Sequence, residues 1–398
     1  MAASICASAL NAVLLLCITW INGPDPAGLY SVAFATATVL NSIADFGMRV
    51  YHVTDTERKF SFGVYLSARW VVNLAMIVCG VVYVALNGYD VEKAAICLAF
   101  VLFRFVDGLS ETYQGEFQLN GRLDMGGKSV CIRTGGAVIV FLIVDFITKN
   151  LMAGIFALTL TNLVLFFVYD IRRISAFTRE KPSFQFSAVA TVIKDCFPLF
   201  FSTLLNNYIL NVPKYAIDRS ENLSYKVQAH FNIIYLPAFT INLLSILALK
   251  PMLRALGEMW NKNEHKKFIG IIIKMIGVIC LLTVVLEVGC YFLGIPVLSF
   301  ISGQDLSGYK AELLILMISG GFSALAVVLF YVLTTMRAQG KVSLAYGLSA
   351  VVGLWLPDKL VAQYGVGGAA ASSVIMLGIL CLGLFLIFLY EWKRKNKL

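Results

Sequence analysis

The sequence predicts an all-α membrane protein of about twelve transmembrane helices arranged as two six-helix lobes. Composition is the first observation behind this. Of 398 residues, 59% are apolar and only 14% are charged, with a mean hydropathy of +0.81. Soluble domains carry roughly 25% charged and 45–50% apolar residues. The second observation is patterning. The apolar residues gather in long runs between short polar loops, and a helix that crosses a bilayer needs about 20 of them. Such a helix also satisfies its own backbone hydrogen bonds, which lipid cannot do.

Read in order, the spans fall near 2–21, 28–49, 62–86, 93–113, 128–147 and 151–170, then 188–212, 227–249, 268–292, 311–336, 342–357 and 366–391. The first begins almost at Met1 without a basic flank and lacks the charged start of a cleavable signal peptide. The basic stretch Ile171–Phe186 is the longest polar break near the middle. It divides the chain into an N-terminal lobe (1–170), a cytoplasmic basic linker (171–187) and a C-terminal lobe with a basic cytoplasmic tail (188–398). Six spans on each side suggest an internal repeat of the kind many transporters carry.

Charge sets the orientation. With both termini inside, nineteen of the 32 Lys and Arg residues fall in cytoplasmic loops and the tail, and seven fall outside. This bias is the positive-inside pattern. It also accounts for the net charge of +9 without nucleic acid, since no soluble basic domain is present to hold a duplex. The nine cysteines lie in or beside apolar runs with no C-x-x-C pair, and the three histidines are scattered. Neither set points to a disulfide framework, a metal site or any cofactor. The short outer loops leave no room for an extramembrane catalytic domain.

The chemistry must therefore come from charges inside the spans. An ionisable group at the bilayer centre costs about 2.5–3.5 kcal/mol on insertion scales and faces a protein interior or a watery cavity. In the fourth span Arg104, Asp107, Glu111 and Gln114 recur at steps of three and four, making one polar stripe on an apolar helix. Arg69 in the third span and Arg133 in the fifth lie about 10 and about 8 Å from their inner ends at 1.5 Å per residue. Three arginines on successive spans form a candidate lining for an anionic head group, because guanidinium stays charged and grips phosphate with two donors. Asp107 and Glu111 are candidates for coupling or charge tuning. The plainer alternatives are a structural ion pair from Arg104 to Asp107 or Glu111, and an Arg133 that snorkels to the surface.

Several strings have a familiar order. Ala27-Gly28-Leu29-Tyr30-Ser31 runs on to Ala44-Asp45-Phe46-Gly47-Met48-Arg49. Gln114-Gly115 precedes Gly121-Arg122-Leu123-Asp124, and Asn211-Val212-Pro213-Lys214-Tyr215-Ala216-Ile217-Asp218 precedes Tyr235-Leu236-Pro237-Ala238-Phe239. Together they resemble the Wzx-like polysaccharide-repeat flippases of the MOP superfamily over nearly the whole chain. The resemblance implies a flippase in the bacterial cytoplasmic membrane that moves undecaprenyl-pyrophosphate-linked oligosaccharide by alternating access. It implies the lipid-linked glycan and the bilayer as partners, with H⁺ or Na⁺ as candidate coupling ions. A cation-coupled drug antiporter of the MATE type is the alternative, with Asp107, Glu111 or Asp45 as its carboxylate. A membrane glycan polymerase would carry a large outer loop, and an acyltransferase would need a membrane histidine, for which only His230 offers itself.

Overall fold

The computed structural model describes every residue except 1, 56, 57, 250–255, 257, 258, 261, 263, 337 and 396–398. Among the described residues all regular structure is helical. The chain runs α1 (Ala2–Ile21), α2 (Pro24–Asp45), α3 (Met48–Thr54), α4 (Phe62–Leu86), α5 (Val91–Leu119), α6 (Leu123–Thr148) and α7 (Leu151–Ile174). It continues through α8 (Phe186–Arg219), α9 (Tyr225–Leu249), α10 (His265–Ser302), α11 (Lys310–Thr335), α12 (Gln339–Gly353) and α13 (Leu356–Lys395). Eight described helices are long and apolar enough to cross a membrane: α2, α4, α6, α7, α8, α10, α13 and the stretch Ser307–Thr335 that contains α11. The chain is a multi-pass membrane protein.

Most of the sequence-derived spans lie on observed helices, and the differences have local causes. The second span, expected over 28–49, begins at Pro24 and stops at Asp45. Proline suits a first helical turn because its missing N–H would be unpaired there anyway. At the far end Phe46 and Gly47 take left-handed backbone angles (φ 47° and 68°), and the chain restarts as α3. Glycine reaches that region without a Cβ clash, so Gly47 is the residue that permits the break. The fourth span is longer than its apolar core: α5 has 29 residues. Its charged residues set it apart from the apolar crossing helices, yet α2, α4, α6 and α7 pack around it. In α13, Gly365 is non-helical (φ 55°) and divides a short first piece from the long helix beyond it.

Two compact units divide the chain, Met1–Asn207 and Tyr208–Leu398. In the first, α5 is the central helix. Phe62, Leu66, Val106, Leu109, Tyr113, Phe117, Met125 and Phe166 form one buried apolar cluster around it. In the second, α11 takes the central place against α9, α10, α12 and α13, burying Leu313, Leu316, Met317, Val328 and Leu333. The centre of one unit is thus a charged helix, and the centre of the other is an apolar one.

The outer faces read as lipid-facing. Val71, Leu74, Val78, Val81 and Val82 of α4 are exposed, as are Ile273, Leu281, Val284, Val285 and Val288 of α10. Large contiguous apolar surface of this kind is rare on soluble monomers. The eight described cysteines are free thiols, and no group of metal-ligating side chains occurs among the described residues.

Candidate functional site

The stripe on α5 is the organising feature of the first unit, and each of its charges meets a side chain from another helix. Asp107 is the busiest. Its Oδ1 accepts from Arg133 Nη1 of α6 at 3.1 Å and from Asn162 Nδ2 of α7 at 3.2 Å. Its Oδ2 accepts from Arg104 Nη1 at 3.4 Å. Arg133 Nη1 also donates to Asn162 Oδ1 at 2.6 Å, and Arg133 Nε stands 3.3 Å from Asp170 Oδ2. Asp170 in turn accepts from Ser110 at 2.5 Å, and Ser110 accepts from Gln114 at 3.0 Å. Three helices thereby share one buried polar network. Arg133 is 3% exposed and does not snorkel.

Asp170 reaches this network from an irregular turn. Residues Phe166–Ile171 of α7 follow a wide π-helical path, a local bulge that shifts every later side chain around the helix and recurs at functional sites. Asp170 and Asn162 are both buried.

Arg69 solves a different problem. Because α2 ends inside the bundle, its last carbonyls have no helical donor. Arg69 of α4, fully buried, donates Nη1 to the Ala44 and Asp45 carbonyls and Nε to Thr112 Oγ1 of α5 at 3.1 Å. A cation at a helix C-terminus also complements the helix dipole. Glu111 Oε2 lies 3.7 Å from Arg69 Nη2. Glu111 stays 30% exposed, so one face of the pair is open.

A third cluster sits where α5 ends. Glu116 takes His52 Nε2 at 3.2 Å, Arg58 Nη2 at 3.3 Å and Asn120 Nδ2 at 2.9 Å. His52 stacks on Tyr65 with ring centres 4.2 Å apart. Tyr65 donates to Asp55 at 2.8 Å, and the Lys59 and Phe60 amides also donate to Asp55. Slight burial opposes the charge on Asp55, but those three donors outweigh it and hold its carboxyl below the usual carboxylate range. Between the second and third clusters lies a shallow crevice too narrow for a water molecule, lined by Met48, Arg49, His52, Tyr65, Arg69 and Thr112.

Of the three arginines singled out in the sequence, Arg104 is the most available. Its side chain is 19% exposed, among the described residues it pairs with Asp107 alone, and its guanidinium lies 5.1 Å from the centre of the Phe34 ring. Among the described residues its Nε has no hydrogen-bond partner. Sequence reasoning placed Arg104, Asp107 and Glu111 on one face and passed over Asn162, Asp170 and Thr112. An arginine deep in α6 without a carboxylate one turn away was the signal that an acid must come from another helix.

The fold is like that of solved transporters of the MOP superfamily. Over 96% of the chain it superposes on the lipid II flippase MurJ in an inward closed conformation, with a TM-score of 0.72, 14% identity and 86% of that chain covered. An inward-facing multidrug resistance MATE family transporter of the MOP superfamily matches 98% of the chain and 95% of its own length, with a TM-score of 0.67 and 12% identity. In sequence the chain is 25% identical over 393 residues to the capsular polysaccharide biosynthesis protein CapF of Staphylococcus aureus, covering 94% of this chain and 93% of that protein. No family model matches the chain.

Proposed function

We propose that this protein is a flippase that carries undecaprenyl-pyrophosphate-linked oligosaccharide repeat units across the bacterial cytoplasmic membrane for surface polysaccharide synthesis. The observation that carries this reading is Arg104, a part-exposed guanidinium on a buried polar helix with one donor nitrogen unused. A diphosphate cannot enter hydrocarbon unaided, and a guanidinium held in a low-dielectric setting is a strong partner for it. The similarity to CapF along nearly all of the chain supports a glycan as cargo.

In this reading twelve helices cross the membrane as two six-helix lobes joined by the basic linker at 171–187, with both termini cytoplasmic. The lobes alternate access to a central path while the lipid tail stays in the bilayer. Arg104 contacts the head group first. Arg69 and Arg133, tied to carbonyls and carboxylates, contribute positive field from fixed positions. Glu111, open on one side, is the better candidate for charge tuning or ion coupling than Asp107, which three donors already hold. Replacing Arg104 by Ala in a strain lacking its flippase tests the assignment. Export of the glycan is lost while the protein still inserts; full complementation by the variant refutes the role given to Arg104.

The fold likeness to a multidrug MATE transporter favours one second reading, a cation-coupled drug antiporter. Arg104 and Arg133 on either side of Asp107 weigh against a cationic substrate there. Raised drug resistance in an expressing strain, without glycan export, would establish that reading instead.

A further inference from the structure

The second unit buries a cation of its own. Lys214 of α8 is 9% exposed, and its ammonium lies 5.4 Å from the centre of the Tyr235 ring of α9. Among the described residues burial is what acts on this ammonium, with no carboxylate set against it. Burying an ammonium without a counter-charge is strongly unfavourable, and the face of one aromatic ring offsets only part of that.

The neighbouring face of α9 is polar as well. Gln228, Asn232 and Tyr235 follow at steps of four and three, so they share one side of that helix. Asn232 donates to the Gln228 carbonyl at 2.8 Å. Gln228 is 1% exposed, and among the described residues neither its Oε1 nor its Nε2 has a hydrogen-bond partner. An amide buried with both ends unsatisfied has lost its hydrogen bonds to water and regained none from the protein. Pro237 on the same helix lacks an N–H, which removes the helical donor from the carbonyl four residues back. Lys214 lies about 8 Å from the end of α8 at Arg219.

We propose that Lys214 and Gln228 form an oxyanion-binding station in the C-terminal unit, with the ammonium supplying charge and the Gln228 amide a directed donor. Tyr235 floors the station with its ring. The inference rests on the transport reading, in which the station receives an acidic group of the cargo near the outer ends of α8 and α9. That group is either the diphosphate of the carrier lipid or the carboxylate of an acidic sugar.

The test is direct binding to the purified full-length protein in nanodiscs, with inorganic pyrophosphate and glucuronate as separate probes. Wild type binds at least one of them. Lys214→Gln weakens that binding about tenfold or more, as loss of one charged hydrogen bond predicts, Gln228→Leu weakens it less, and Lys214→Arg retains it. Dependence of pyrophosphate binding on Lys214 assigns the station to the carrier lipid, and dependence of glucuronate binding assigns it to the glycan. Equal affinity of wild type and Lys214→Gln for both probes overturns the proposal, as does binding to neither. Lys214→Met, which keeps the length of the side chain, separates lost binding from lost folding. If Lys214-dependent binding persists in a protein that does not complement a flippase-null strain, the transport reading fails and the station stands.

Discussion

Arg133 and Asp107, on two different helices, stand 3.1 Å apart with Arg133 almost sealed from solvent, and Asp170 closes the other side of the same guanidinium at 3.3 Å. One cation thus holds two acids from α5 and α7 inside the first unit. Removing one member of a buried ionic cluster costs about 3–5 kcal/mol, because the others remain buried and uncompensated. Arg133→Ala should therefore lower the melting temperature sharply in detergent. Adding Asp170→Asn to that variant should recover part of the loss, since the second change removes a stranded charge. Size-exclusion chromatography after heating reads both effects.

Arg69 is a bridge between the end of α2 and the middle of α5. Arg69→Lys keeps the charge but cannot span the Ala44 and Asp45 carbonyls and Thr112 together, because ammonium lacks the planar fork. It should destabilise the protein by about 1–3 kcal/mol, the cost of buried acceptors left unpaired. Proteolysis and thermal melting of the purified variant check this.

The segment that leads into α8 is docked, not loose. Gly63 N donates to Glu180 at 2.9 Å and Gly63 O accepts from Ser183 N at 3.0 Å. A Cβ on residue 63 would collide with the Lys181 carbonyl. Gly63→Ala should cost about 1–3 kcal/mol by overpacking and release this segment. Trypsin should then cut faster after the exposed Arg179, while cleavage elsewhere keeps its rate.

Asp55 has a folded pKa below its unfolded value, so its three hydrogen bonds stabilise the protein above the ordinary carboxylate range, near pH 3.9. That contribution fades as pH falls through the lower folded value. Asp55→Asn should destabilise by about 1 kcal/mol at pH 7, a modest figure because the carboxylate is partly solvated. The gap between variant and wild type should close in acid, as melting curves across pH 7 to 3 would record.

Much of this was legible in the sequence. The stripe from Arg104 through Asp107 and Glu111 to Gln114 follows from helical spacing, and its charge forces it inward in any membrane fold. The partners were not legible, since spacing fixes which face a residue occupies but not which helix lies opposite. Asn162 and Asp170 reach Arg133 through packing and through the π-helical turn of α7, which has no periodic signature. The early end of α2 was half legible: Gly47 marked a break that continuous hydropathy concealed, and only the break exposes the carbonyls that Arg69 satisfies.

The central claim is that Arg104 meets an anionic lipid-linked head group during transport. The direct measurement is transfer of an undecaprenyl-pyrophosphate-linked oligosaccharide between leaflets of proteoliposomes holding the purified protein, read as protection of the glycan from an added glycosidase. Wild type should transfer it well above protein-free vesicles, and Arg104→Ala should fall by about tenfold or more, as loss of a charged contact predicts. Equal transfer by wild type and Arg104→Ala, or no transfer by either beyond protein-free vesicles, would contradict the claim.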